Sequence, residues 1–248
     1  MLFTRYTDDV EQIVVYSTTD LSVLRRLLVP GPDNTNLADI ASCAEKQCLY
    51  ISNFSDPLDP SEHQNACIHR LGLDGSVSKW LVQVAEPMSM SVMHNCNLLV
   101  RCDQADDSSK LVEISTDTGD CIREIALDSD LKSVFRGIQL DGDQYVILYR
   151  LAKNRVSQVD TGGRIICSAD EAARLDKPFD MALDRDKFLF VADITMRRVV
   201  LLDPSLNYVR VVMEEWDCQP ESLSYDDNAR RLYVGDNFLL NRIVVVQL

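Results

Sequence analysis

The feature that most constrains this chain is a spacing. An apolar run that follows a short polar break begins at Ile13, Ile68, Leu111, Val156, Val199 and Ile243, so after the first interval it recurs every 43 to 45 residues. Three residues into each run the chain is apolar again, at Tyr16, Leu71, Ile114, Val159, Leu202 and Val246. The longer first interval holds the insertion "SDPLDPSEHQNA". A fixed period of this length marks stacked supersecondary units, none of which buries its apolar surface alone.

A second column, Ile40, Met90, Ile138, Met181 and Leu223, is followed mostly by small residues. Each repeat holds four short runs of strand-like composition; in the fifth they are "DMALD", "FLFVAD", "RVVLLD" and "NYVRVVM". Turn residues such as "DGD", "TGGR" and "DTGD" separate the runs. Helical periodicity is confined to "ADEAARL" at 169–175. Four strands in a period in the low forties predict an all-β fold, a six-bladed β-propeller of four-stranded blades forming one domain over 1–248. The ends are incomplete. The last copy stops at its third strand, "RIVVVQL", and the first supplies a second, third and fourth strand in "LFTRYT", "QIVVYS" and "VLRRLLV". Five blades are the alternative count.

Val191–Asp193 with Arg198 and Val199, and again Val234 and Asp236 with Asn241, Arg242 and Ile243, carry a pattern that resembles the NHL repeat; "KNRV" at 153–156 fits its second half. The chain is similar to the divergent NHL-type proteins of invertebrates and to the NHL domains of tripartite-motif proteins. The resemblance implies a six-bladed propeller in which Asp193 with Arg198, and Asp236 with Arg242, are architectural and pair within one blade. A fixed offset of 43 residues puts Arg150 at the Asp position of the fourth repeat, next to Arg155.

The hairpins joining second to third strands all open on one face. Repeats four to six bring Arg150, Lys153, Arg155, Arg197, Arg198 and Arg242 there; repeats two and three bring Asp56, Asp59, Glu62, Asp103, Asp106 and Asp107. A face divided by charge is suited to docking a protein or peptide partner; the plain alternative is a set of solvated loop tips. Some NHL domains bind RNA through a basic face, which makes RNA the second reading, but a net charge of −14 repels phosphate. No apolar run reaches the roughly 20 residues of a membrane-spanning helix, and the start lacks the pattern of a signal peptide. The expectation is a cytoplasmic, non-enzymatic scaffold, monomeric or part of a larger multidomain chain, with no membrane contact and no cofactor.

A third reading, a metal-dependent hydrolase or lyase, needs ligands converging on the central channel. The starts of the innermost strands read Asp39, Ser89, Gly137, Asp180 and Ser222. Asp39 and Asp180 are the only carboxylates in that column, on opposite sides of a six-bladed ring, whereas Ca²⁺ takes about six oxygens. No catalytic residue is assigned. His63, Cys67 and His69, with Asp59 and Glu62 nearby, have metal-compatible chemistry at a spacing that matches no structural zinc pattern; a loop histidine and a core cysteine are the expected account. The eight cysteines contain no CxxC pair and read as free thiols, with a Cys43–Cys48 bridge as the alternative.

Overall fold

Short runs of Val, Ile, Leu and Tyr that alternate with polar residues favour extended backbone, since side chains on a strand point to opposite faces. The computed structural model describes residues 2–5, 12–28, 36–54, 66–72, 76–81, 86–104, 108–125, 127, 134–149, 155–215, 217–236 and 242–248. They form antiparallel meanders. The first sheet has three strands, β1 (Leu2–Arg5), β2 (Gln12–Tyr16) and β3 (Val23–Leu28). Four complete sheets follow: β4 (Asn36–Cys43) to β7 (Val77–Leu81) through β5 (Cys48–Phe54) and β6 (Cys67–Gly72); then β8 (Pro87–Val92), β9 (Leu98–Asp103), β10 (Ser109–Ile114) and β11 (Cys121–Ile125). The next pair are β12 (Val134–Asp141), β13 (Gln144–Tyr149), β14 (Arg155–Asp160) and β15 (Ile165–Ser168), then β16 (Pro178–Leu183), β17 (Leu189–Asp193), β18 (Arg198–Leu202) and β19 (Tyr208–Glu214). The last sheet again has three: β20 (Pro220–Asp226), β21 (Arg231–Asp236) and β22 (Arg242–Gln247).

The fold is an all-β propeller. Six repeats are present as six sheets, but the twenty-two described strands amount to five four-stranded blades with two strands over, short of six. The strand content is therefore nearer the alternative count of five blades than six, and both terminal sheets lack a strand, as the sequence implied. The helical pattern at 169–175 reduces to one 3-10 turn, Glu171–Ala173, which Asp170 caps by accepting from the Ala173 N–H at 3.1 Å.

The chain divides into two compact units, Met1–Glu124 and Ile125–Leu248. In each, successive sheets pack face to face, and neighbouring residues of one strand serve different neighbours. Within the second unit, Val191 joins Val146, Leu148 and Val156 in one cluster, while Phe190 and Ala192 join Leu223, Leu232 and Val234 in the next. Within the first, Tyr50 and Ile68 pack with Met90, Leu98 and Val100, and Leu49 and Ile51 pack with Ile13. Burial of each such side chain stabilises by roughly 1.5–3 kcal/mol. Tight turns close the meanders; Gly163, at φ +75°, supplies the left-handed residue of the "TGGR" hairpin.

One buried charge is fully engaged. Glu113 on β10 accepts from Asn97 Nδ2 at 2.7 Å, Asn95 Nδ2 at 2.9 Å and Arg123 Nε at 2.7 Å. Burial pushes its carboxyl up, yet the hydrogen bonds from Asn97, Asn95 and Arg123 more than offset this and hold it below its ordinary 4.5. A depressed carboxylate stabilises the fold above its unfolded value and loses that contribution as pH falls through the folded one. In urea titrations, Glu113→Gln should therefore cost stability at pH 7, with the gap to the parent closing as pH drops below 4.5. A gap that is constant with pH would refute the assignment.

Candidate functional site

The first strands of two sheets carry Asp39 and Asp180, and both are used structurally. Asp39, on β4, accepts from its neighbour Ile40 N at 2.8 Å and from Met90 N, on the first strand of the next sheet, at 2.8 Å. Asp180, on β16, repeats this with Met181 N at 2.8 Å and Leu223 N, on β20, at 2.7 Å. Each carboxylate thus hooks one inner strand to the main chain of the following one. Asp180 holds a further charge, the Arg136 guanidinium, at 2.7 Å. The ion pair is largely buried, with side-chain exposures of 18% and 8%.

Arg136 was not among the expected residues, and the reason is a register error of one. Arg136 faces Leu148 as Asp180 faces Ala192, and Gly137 faces Ile147 as Met181 faces Val191. The hook position of this sheet therefore belongs to Arg136, and Gly137, not Ile138, sits in the large-apolar column. The offset measured on third strands fails for the strands before them. Here the second and third strands meet at Tyr149 and Arg155, one residue further apart in sequence than Asp193 and Arg198. By the same register Tyr149, not Arg150, stands opposite Arg155. The extra residue in "YRLAKNR" was the signal that could have revealed this.

The motif residues build a second clasp. Asp193 faces Arg198 across β17 and β18, with the guanidinium 3.3 Å away. Its carboxylate also accepts from Asp176 N at 3.2 Å and Lys177 N at 3.1 Å, in the segment that leads into β16. Arg198 reaches back to the carbonyls of Ala173 and Arg174, both at 2.8 Å. Asp236 does likewise, accepting from Gln219 N at 3.0 Å and Arg242 Nε at 3.1 Å, while Arg242 also lies 3.1 Å from Asp217. In these two sheets the segment leading into the first strand is pinned to the facing ends of the second and third. The second sheet carries Asn53 opposite Cys67 at the same positions.

Of the residues expected on the divided face, Arg155 is exposed and Arg197 half-buried, with Arg197 in a left-handed turn at φ 53°. Asp103 is engaged: Arg101 clasps it at 2.8 and 2.6 Å, and Ser109 Oγ donates at 2.9 Å. Arg150, Lys153, Asp56, Asp59 and Asp106 lie outside the described residues, as do Glu62, His63 and Asp107.

Cys67 and His69 are both buried, Sγ to Nε2 3.3 Å apart; burial pushes the thiol above 9.0 and the imidazole below 6.5. Among the described residues no three His, Cys, Asp or Glu side chains are grouped to hold a metal ion. All eight cysteines are free, although Cys43 and Cys48 face each other across β4 and β5. No described helix is long and apolar enough to cross a membrane.

No family model matches this chain, and no curated protein matches it significantly. Solved structures do. A protein of unknown function from Bacteroides caccae is 14% identical, covering 99% of this chain and 89% of its own, at a TM-score of 0.71. A chain of a nidogen/laminin complex is 14% identical over 100% and 92%, at 0.68. A catalytically inactive virginiamycin B lyase from Staphylococcus aureus, solved with quinupristin, is 13% identical over 97% and 74%, at 0.64. At such identities the likeness is one of fold.

Proposed function

We propose that this chain is a non-enzymatic, NHL-type propeller that docks a protein or peptide partner on the face where second-to-third hairpins open. The supporting observation is how the inner carboxylates are used: Asp39 and Asp180 are both bonded to backbone N–H groups of the adjoining strand. Groups so engaged are structural, and the same argument weighs against the hydrolase or lyase reading despite the fold shared with virginiamycin B lyase. The docking surface centres on the basic side, Arg150, Lys153, Arg155 and Arg197, because Asp103 is already neutralised by Arg101. A cytoplasmic setting goes with this reading, and the free thiols favour it.

The test compares the parent with a variant carrying Arg150→Glu, Lys153→Glu and Arg197→Glu. Association of co-purifying proteins, measured by quantitative mass spectrometry, should fall about tenfold or more, as expected when several interfacial charges are reversed. Undiminished association would defeat the proposal. RNA binding, if it were the function, would instead appear as oligonucleotide affinity that falls steeply with salt. A stoichiometric Ca, Zn, Mg or Mn content in the dialysed protein would move the search to the channel.

A further inference from the structure

We infer that Cys43 and Cys96 are an oxidation site, at which hydrogen peroxide joins two adjoining sheets through a disulfide. Cys43 ends β4, and Cys96 lies in the turn between β8 and β9. Both are buried, at 4% and 8% exposure, in the core that these two sheets share. The Cys96 thiol donates to Glu45 Oε2 at 3.1 Å and also hydrogen-bonds the Cys43 thiol. Lys46 ties the two hairpins together. Its Nζ donates to Thr116 Oγ1 at 2.7 Å, and that hydroxyl donates to the Cys96 carbonyl at 2.9 Å.

The turn itself does not ask for a cysteine. In the five sheets from β4 onward, the connection from first to second strand holds one left-handed residue: Gln47, Cys96, Gly142, Lys187 and Arg230. Four of these are exposed or half-buried, as suits a position that favours glycine or a solvated side chain. Cys96, at φ 64°, instead turns inward to meet a second thiol. Cys43 has one other thiol opposite it, Cys48, across β4 and β5. The Cys48 sulfur is held by the Arg70 guanidinium, which leaves Cys96 as the partner.

The step balances as two thiols and one peroxide giving one disulfide and two waters. The Cys96 sulfur passes its proton to Glu45 and attacks the peroxide, breaking the O–O bond. The hydroxide released takes that proton and leaves as water. The Cys43 sulfur then displaces the sulfenic hydroxyl, which departs as water with the Cys43 proton. Two electrons pass from the sulfurs to the peroxide. The bond to the Glu45 carboxylate, and then burial, hold the Cys96 thiol up at about 12. The pair therefore rests as thiols and reacts slowly. It lies on first-to-second connections, at the opposite end of the strands from the charged hairpins, so either proposal can fail without the other.

The test uses the full chain carrying Cys121→Ser, because that exposed thiol would otherwise link two molecules. The protein is treated with hydrogen peroxide, alkylated and digested without reductant. Mass spectrometry should find one peptide pair joined through Cys43 and Cys96, which dithiothreitol releases. Oxidation should raise the thermal midpoint by on the order of 10 °C, since the bridge closes a loop of about fifty residues. Cys43→Ser and Cys96→Ser should each abolish both changes, and Cys48→Ser should keep them. Comparing each variant with its own reduced form removes the cost of the substitution itself. Glu45→Gln, which takes away the anion, should speed bridging about tenfold or more. A Cys43–Cys48 bridge, sulfinic acid at Cys96 with Cys43 still alkylated, or a midpoint that oxidation leaves unmoved would overturn the inference. Bridging no faster in Glu45→Gln would remove the part assigned to Glu45.

Discussion

Asp180→Ala should lower the stability of the fold by about 3–5 kcal/mol, the largest effect expected of any single substitution described above. Three interactions end together. Leu223 N and Met181 N lose a charged acceptor in a buried setting, and the Arg136 guanidinium loses the carboxylate 2.7 Å away. Asp39→Ala likewise leaves Ile40 N and Met90 N short of an acceptor and should cost about 1–3 kcal/mol. Urea denaturation at pH 7 reads both. The double variant Arg136→Met with Asp180→Ala should recover part of the loss, because removing both partners of a largely buried ion pair costs less than removing one. If Arg136→Met restores nothing in the Asp180→Ala background, Arg136 contributes nothing to the hook.

Asp193→Ala should cost about 2–4 kcal/mol, and it does so by freeing a loop rather than by hollowing the core. Asp193 is fully buried, and its carboxylate is the acceptor for Asp176 N and Lys177 N at the entry to β16. Arg198→Ala should cost less, since the two N–H bonds remain, although the carbonyls of Ala173 and Arg174 lose their donor. Hydrogen exchange should show faster opening at 173–177 in Asp193→Ala while the strands of the sheet β4–β7 stay protected. Uniform acceleration over the whole chain would mean that the clasp holds more than its own entry loop.

Periodicity carried the architecture because the apolar columns answer to sheet packing, which has a fixed pitch. The third-strand column shows this best: Ile68, Leu111, Val156 and Val199 are all fully buried. The Asp–Arg motif was legible for a related reason, as Asp193 and Asp236 share their register partners Arg198 and Arg242. What escaped the sequence depended on connection length. One additional residue between β13 and β14 moved Tyr149 and Arg136 into positions that a constant offset had given to Arg150 and Gly137. The hooks of Asp39 and Asp180 were illegible in principle, because their acceptor role is directed at main-chain N–H groups that every non-proline residue possesses.

That last property bears on how far such a chain can drift. An anchor that recognises a neighbour's backbone imposes no spelling on the neighbour. Met90 and Leu223 are held alike although their side chains differ, and the hook itself asks only that each be something other than proline, while the core asks that each be apolar. Successive units can therefore exchange residues over long lineages without renegotiating the joint between them. A lineage built this way loses its recognisable signature well before it loses its shape.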